Sequence, residues 1–143
     1  MSQQQRAAVL AEANSWLGTS YHHKAAIKGA GVDCAMILIE VYAAAGVVPH
    51  FDVGDYPPDW MMHRSEERYL GWVEQHAHVV DTPKPGDIVV FKMGRCFSHA
   101  GIVVDYPNII HAYRPAGSVV LDDLSINSDL AAREVKFYSL WND

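Results

Sequence analysis

A chain of 143 residues, half of them hydrophobic and a fifth charged, has the length of one domain and an ordinary globular composition. Its formal net charge of −6 excludes electrostatic coating of nucleic acid or anionic membrane, and is mildly unfavourable to an anionic cell wall. The polar stretch Met1-Ser2-Gln3-Gln4-Gln5-Arg6 does not read as a signal peptide, and the apolar run 35–39 is far too short to span a bilayer; synthesis in the cytoplasm is expected.

Val9, Ala13, Trp16 and Leu17 recur at i, i+4, i+7 and i+8, one apolar face of a first helix that Gly18 is expected to stop. A polar loop, 19–32, follows. Asp33, a good N-cap, opens a second helix over about 34–45, with Gly46 as its stop. Apart from Glu40 this helix is apolar on every side, as befits an element in the middle of a domain. The stretch 47–64 carries Tyr56-Pro57-Pro58-Asp59-Trp60, a turn-rich aromatic sequence that reads as a packed surface loop, a substrate-stacking wall or a docking patch. A short third helix is predicted next, capped by Ser65, with Glu66 and Glu67 in its first turn and Tyr69, Leu70, Trp72 and Val73 as its buried stripe. From Pro83 the pattern changes to short strands: 87–92, 100–105, 109–113, 118–121 and 135–140. Turns are marked by Pro83-Lys84-Pro85-Gly86, Pro107-Asn108, Pro115-Ala116-Gly117 and Asn127-Ser128-Asp129. The expected fold is α+β over 1–143, a single domain with N-terminal helices packed on a C-terminal antiparallel sheet.

Cys34 sits where that second helix begins. A free thiol, with a pKa of about 8.5, is only a few per cent thiolate at neutral pH. A helix start aims unpaired N–H groups and a positive dipole end at the sulfur, worth roughly 0.3–1 kcal/mol when exposed and about 2 at best. One pKa unit corresponds to about 1.4 kcal/mol, so the helix alone does not ionise the thiol and a histidine is required. Asp33 opposes ionisation unless its carboxylate turns back to cap the helix. Position alone leaves open that Cys34 is a small buried hydrophobe.

Of the eight histidines, His99 opens a strand and His111 lies in the next one, twelve residues on. A loop centred on Asp105 sets them directly opposite each other on one face; a two-residue turn at Pro107-Asn108 pairs His111 with Val104 and sends them to opposite faces. In the first register one imidazole takes the thiol proton and the other orients it. His99 is the candidate base and His111 the orienting group. Otherwise both are polar tips on a half-buried sheet. His22, His23, His50, His63, His76 and His78 read as solvated surface, with His22 and His23 near the mouth of a cleft.

Trp16-Leu17-Gly18-Thr19-Ser20-Tyr21-His22-His23, Gly31-Val32-Asp33-Cys34-Ala35, Pro85-Gly86-Asp87, Ser98-His99-Ala100-Gly101-Ile102 and Ile110-His111-Ala112 together resemble the NlpC-type cysteine peptidases. The tail-associated branch of phages and phage-like particles is the most similar, over about 6–124. The resemblance implies a papain-like fold, a triad of Cys34, His99 and His111, and hydrolysis of peptidoglycan stem peptides, typically between D-γ-glutamate and diaminopimelate. It implies no cofactor. It sets Tyr21 near the oxyanion position, with Asp33 and Ser98 beside it, where the Cys34 backbone N–H is also a donor; as a pattern alone, Tyr21 is equally a core aromatic. Met36, where relatives commonly carry glycine, and Cys96 depart from the motif. Delivery by phage-like tail proteins, into a virion or tail-like particle that acts in the host cell wall, is the expectation for a chain without its own route outward.

Two other readings stand beside this one. Cys34, Cys96, His99 and His111 are four zinc-ligand types, although Cys34 has no neighbouring second ligand. A structural tail component that keeps the fold without turnover is the other. In a reducing compartment the two cysteines are expected as thiols.

Overall fold

The computed structural model, which describes residues 2–50, 67–94 and 96–143, with the backbone alone at 67–70, 72, 96 and 98, also sets its three longer helices before its six-stranded sheet. Helix α1 (Ser2–Asn14) buries Val9 and Ala13 as the spacing predicts. It ends before Gly18, because the N–H groups of Ser15, Trp16 and Leu17 bond to carbonyls three residues back, at 3.1–3.2 Å, a tighter turn than the α-helix. Gly18 then turns the chain outward at φ +86°. The segment expected as a plain loop contains a two-stranded antiparallel ribbon, β1 (Ala26–Ile27) and β2 (Gly31–Val32).

Helix α2 (Cys34–Ala44) starts at the predicted N-cap: Asp33 Oδ1 accepts from the Met36 N–H at 2.9 Å. Ile37, Leu38, Ile39, Val41 and Tyr42 are fully buried, each stabilising the fold by about 1.5–3 kcal/mol relative to an exposed side chain. Helix α3 (Glu67–His76) stands where the third helix is predicted, and Val73 is buried. Its expected Ser65 cap, the side chains of Tyr69, Leu70 and Trp72, and the Tyr56–Trp60 stretch lie outside the described residues.

Among the described residues six strands form one antiparallel sheet, in the order β3 (His78–Val80), β8 (Val135–Ser139), β4 (Ile88–Met93), β5 (Cys96–Asp105), β6 (Asn108–Tyr113), β7 (Ser118–Asp123). The sequence pattern misses β3, which is three residues long. It reads as a bare turn what is a short helix, α4 (Ser128–Ala131), whose first N–H groups bond to Asn127 Oδ1. Alternation gives the sheet two buried faces. Ile88, Val90, Ala100, Ile102, Ile110 and Ala112 pack against α1 and α2. Val89, Phe91, Val103, Ile109 and Tyr113 pack against Leu124 and Leu130.

The two ends of the chain meet at Arg6. Its guanidinium donates to Asp87 Oδ1 at 2.9 Å, to the Pro85 carbonyl at 2.8 Å and to Asp143 Oδ1 at 2.8 Å, and lies 4.3 Å over the Trp141 ring. Ser2 Oγ adds a bond to Asp143 Oδ2 at 2.8 Å.

Candidate active site

The β5–β6 hairpin positions the two histidines, and its register is neither of the two predicted. Asp105 stands opposite Asn108, so the turn is Tyr106–Pro107, joined by a cis peptide. Past the turn Val103 pairs with Ile109 and Ile102 with Ile110, which leaves Val104 as an extra, bulged residue. A regular ladder from Asp105–Asn108 would send the imidazoles to opposite faces; the bulge shifts the count by one and restores them to the same face. They stand on a diagonal, with Gly101 opposite His111. Glycine is required there, since a Cβ on residue 101 would lie 2.9 Å from Ile109 Cδ1 and 3.1 Å from His111 Cβ. A second bulge, between β4 and β5, falls at Ser98: Phe91 pairs with His99, and Lys92 with Phe97.

His99 and His111 are buried and bonded to each other, Nε2 to Nδ1, at 2.8 Å. His111 Nε2 reaches Asp122 Oδ2 at 3.0 Å, and Asn127 Nδ2 donates to the same oxygen at 2.8 Å. Tyr113 stacks on His111 with ring centroids 4.7 Å apart, and its hydroxyl donates to Asp129 at 2.6 Å. Burial lowers the pKa of His99 well below its ordinary value, with His111 and Arg133 acting in the same direction. Burial also lowers that of His111, against the opposing hydrogen bond and charge of Asp122. Both rings are therefore neutral near pH 7. Nothing in the sequence points to a role for Asp122 in the site, and Asn127 is marked there only as a turn residue. The Pro115-Ala116-Gly117 turn held the signal: it fixes His111 opposite Val120, and Asp122 is the next residue on that face.

Cys34 is fully buried at the start of α2. Burial, and then the charge of Asp33, push its thiol pKa up; the Tyr21 hydroxyl and the backbone N–H groups of Cys34 and Ala35 work against that. The Tyr21 hydroxyl approaches Sγ at 4.0 Å, a long contact. Asp33 is wholly buried and structural in its bonds: besides capping α2, its Oδ2 accepts from the Lys24 N–H at 2.7 Å. That bond holds Lys24 in the left-handed region, at φ 65°. His23 lies 3.9 Å from the same carboxylate, and the His22 ring packs against Gly31.

The expected site residues are thus gathered in two groups. Tyr21 and Asp33 surround Cys34, which belongs to the core on the α2 side of the sheet together with Ala100 and Ala112. His99 and His111 point to the other face, where His99 packs on Phe91 and Tyr113. Ser98 is placed by its backbone as the bulge residue next to His99; its side chain and that of Cys96 lie outside the described residues. Among the described residues no group of three or more metal-ligating side chains comes together. Met36 is half-buried against the core cluster of α2.

The NlpC/P60 family model matches residues 15–130 of the chain. None of the curated proteins compared matches it. Among solved structures, the NlpC/p60 domain of the peptidoglycan hydrolase SagA is 22% identical with a TM-score of 0.59, over 92% of this chain and 96% of that one. The peptidoglycan hydrolase RipB of Mycobacterium tuberculosis is 19% identical with a TM-score of 0.66, over 99% of this chain and 67% of its own. An N-acetylmuramoyl-L-alanine amidase of Bacteroides uniformis is 11% identical with a TM-score of 0.64, over 97% and 100%. At these identities the likeness is one of fold.

Proposed function

Because the chain belongs to the NlpC/P60 family, we propose that it is a cysteine-dependent peptidase or amidase of peptidoglycan, with Cys34 as nucleophile, His99 as general base and His111 as the residue that orients it. The observation that carries this reading is the buried 2.8 Å bond between His99 and His111, in a chain whose central helix begins with a thiol.

In the proposed reaction His99 takes the Sγ proton of Cys34 and the thiolate attacks the carbonyl carbon of the substrate amide. The Cys34 backbone N–H and the Tyr21 hydroxyl face the oxygen that becomes negative. The imidazolium returns its proton to the leaving amine, a thioester forms, and water attacks it with His99 again as base. This sequence requires the thiol and the His99 imidazole to meet. Ala100, the neighbour of His99, already shares the core of Cys34, and the bulge at Ser98 is a point at which a strand can re-aim the side chain that follows.

The approach is tested without substrate by alkylating Cys34 across pH, in a Cys96→Ala background. Coupling to His99 gives the wild type a reactive plateau that extends below the intrinsic thiol range and disappears in His99→Ala; coincident profiles would refute the pairing. Function is tested by mass spectrometry of muropeptides after digestion. Products are expected from the wild type and none from Cys34→Ala. The fragment masses separate the D-γ-glutamyl–diaminopimelate bond, which motif similarity favours, from an N-acetylmuramoyl-L-alanine amide. Carriage by a phage-like tail rests on the same similarity, and co-purification with intact particles is its check.

A further inference from the structure

We propose that Asp122 is a positioning residue that fixes where the protons lie on both site histidines, so that His99 presents a bare Nδ1. The proposal deepens the catalytic reading above and rests on it for its purpose, though not for its geometry.

A neutral imidazole carries one N–H, and a carboxylate only accepts. The 3.0 Å bond from His111 Nε2 to Asp122 Oδ2 therefore puts the single His111 proton on Nε2. His111 Nδ1 is then an acceptor, and the 2.8 Å bond to it needs a proton on His99 Nε2. One proton per neutral ring leaves His99 Nδ1 with a free lone pair, the atom a general base needs. Remove the carboxylate and the opposite order becomes available: His111 donates from Nδ1 to His99 Nε2, and the His99 proton moves to Nδ1, where it blocks the base.

The surroundings are built to hold Asp122 in this duty. It stands on β7 next along the His111 face, and Asn127 Nδ2 donates to the same Oδ2 at 2.8 Å. Asn127 is itself held by the first N–H groups of α4, both at 3.1 Å. Asp129, in the first turn of that helix, takes the hydroxyl of Tyr113, whose ring covers His111. The segment after β7 thus braces the carboxylate and the ring stack together.

Ring nitrogen shifts of the full-length protein, labelled with 15N-histidine, read the proton positions directly near pH 7.5. The wild type is expected to show His99 and His111 both as the Nε2–H form. In Asp122→Ala the Nδ1–H form of both is expected to rise to tens of per cent, with turnover falling by about 10- to 100-fold, within what a general base contributes. A wild-type His111 protonated on Nδ1 would overturn the proposal even if the variant does not fold. Unchanged tautomers in a folded Asp122→Ala would overturn it as well. Since these shifts are read without substrate, a fixed Nε2–H pair in a protein that releases no muropeptide would reject the proposed function and leave the positioning role standing.

Discussion

Gly101 has no Cβ, and the space one would need is taken. Two of the atoms it would meet, His111 Cβ at 3.1 Å and the Ile110 carbonyl at 3.3 Å, are fixed to β6; only Ile109 Cδ1 can swing aside. Gly101→Ala is therefore expected to push β6 outward under His111. The cost, measured by urea unfolding, should be about 1–3 kcal/mol, as for other over-packed sites. A loss of about tenfold in kcat should accompany it, because small displacements of catalytic groups are amplified in rate. The residues that carry the motif, Cys34, His99 and His111, were legible in the sequence as types of side chain at recognisable places. Asp122 was not. Beside Asp123, at the end of a strand, it looks like one more solvated acid until the register of β7 is known.

Helix α2 shows how one element carries two opposing demands. Asp33 stabilises its first turn, yet its charge disfavours the thiolate beside it. Asp33→Asn keeps one cap oxygen and removes the charge. The expected outcome is a loss of about 1 kcal/mol, from the bond to the Met36 or Lys24 N–H that is given up. The inflection in the pH profile of Cys34 alkylation should move to lower pH. The inflection is to be read where urea unfolding shows both proteins folded, because an opened chain exposes a thiol with the ordinary pKa of about 8.5. The start and stop of α2 were readable from Asp33 and Gly46, since caps are local chemistry. The bulge at Val104 was not readable: nothing in a run of β-branched residues marks which one drops out of the ladder, and it was this single residue that decided the face of each histidine.

For the whole molecule, the neutral burial of His99 and His111 makes stability depend on pH. Both have folded pKa values below the ordinary 6.5. Above that value the folded and unfolded chains hold these rings alike. As pH falls through it the unfolded chain takes up protons that the folded chain refuses, so stability drops. Urea midpoints are expected to fall between pH 7.5 and 5.5, and His99→Gln should flatten the decline; a midpoint that held steady across the range would contradict the buried neutral pair. A second loss belongs to lower pH, below about 3.8, where Asp129, held down by Tyr113 and Arg133, and Asp143, held down by Arg6 and Ser2, become protonated.

The α+β plan of helices against an antiparallel sheet followed from the change of hydrophobic period along the chain. The closure at Arg6 did not, because an arginine among glutamines gives no hint of burial before the last residue is seen to bind it. The Arg6 knot gathers three stretches far apart in the sequence, since α1, the Pro85–Asp87 turn and the segment after β8 share one guanidinium. Such sharing makes the three stretches interdependent, so losing that one side chain loosens them together rather than one at a time.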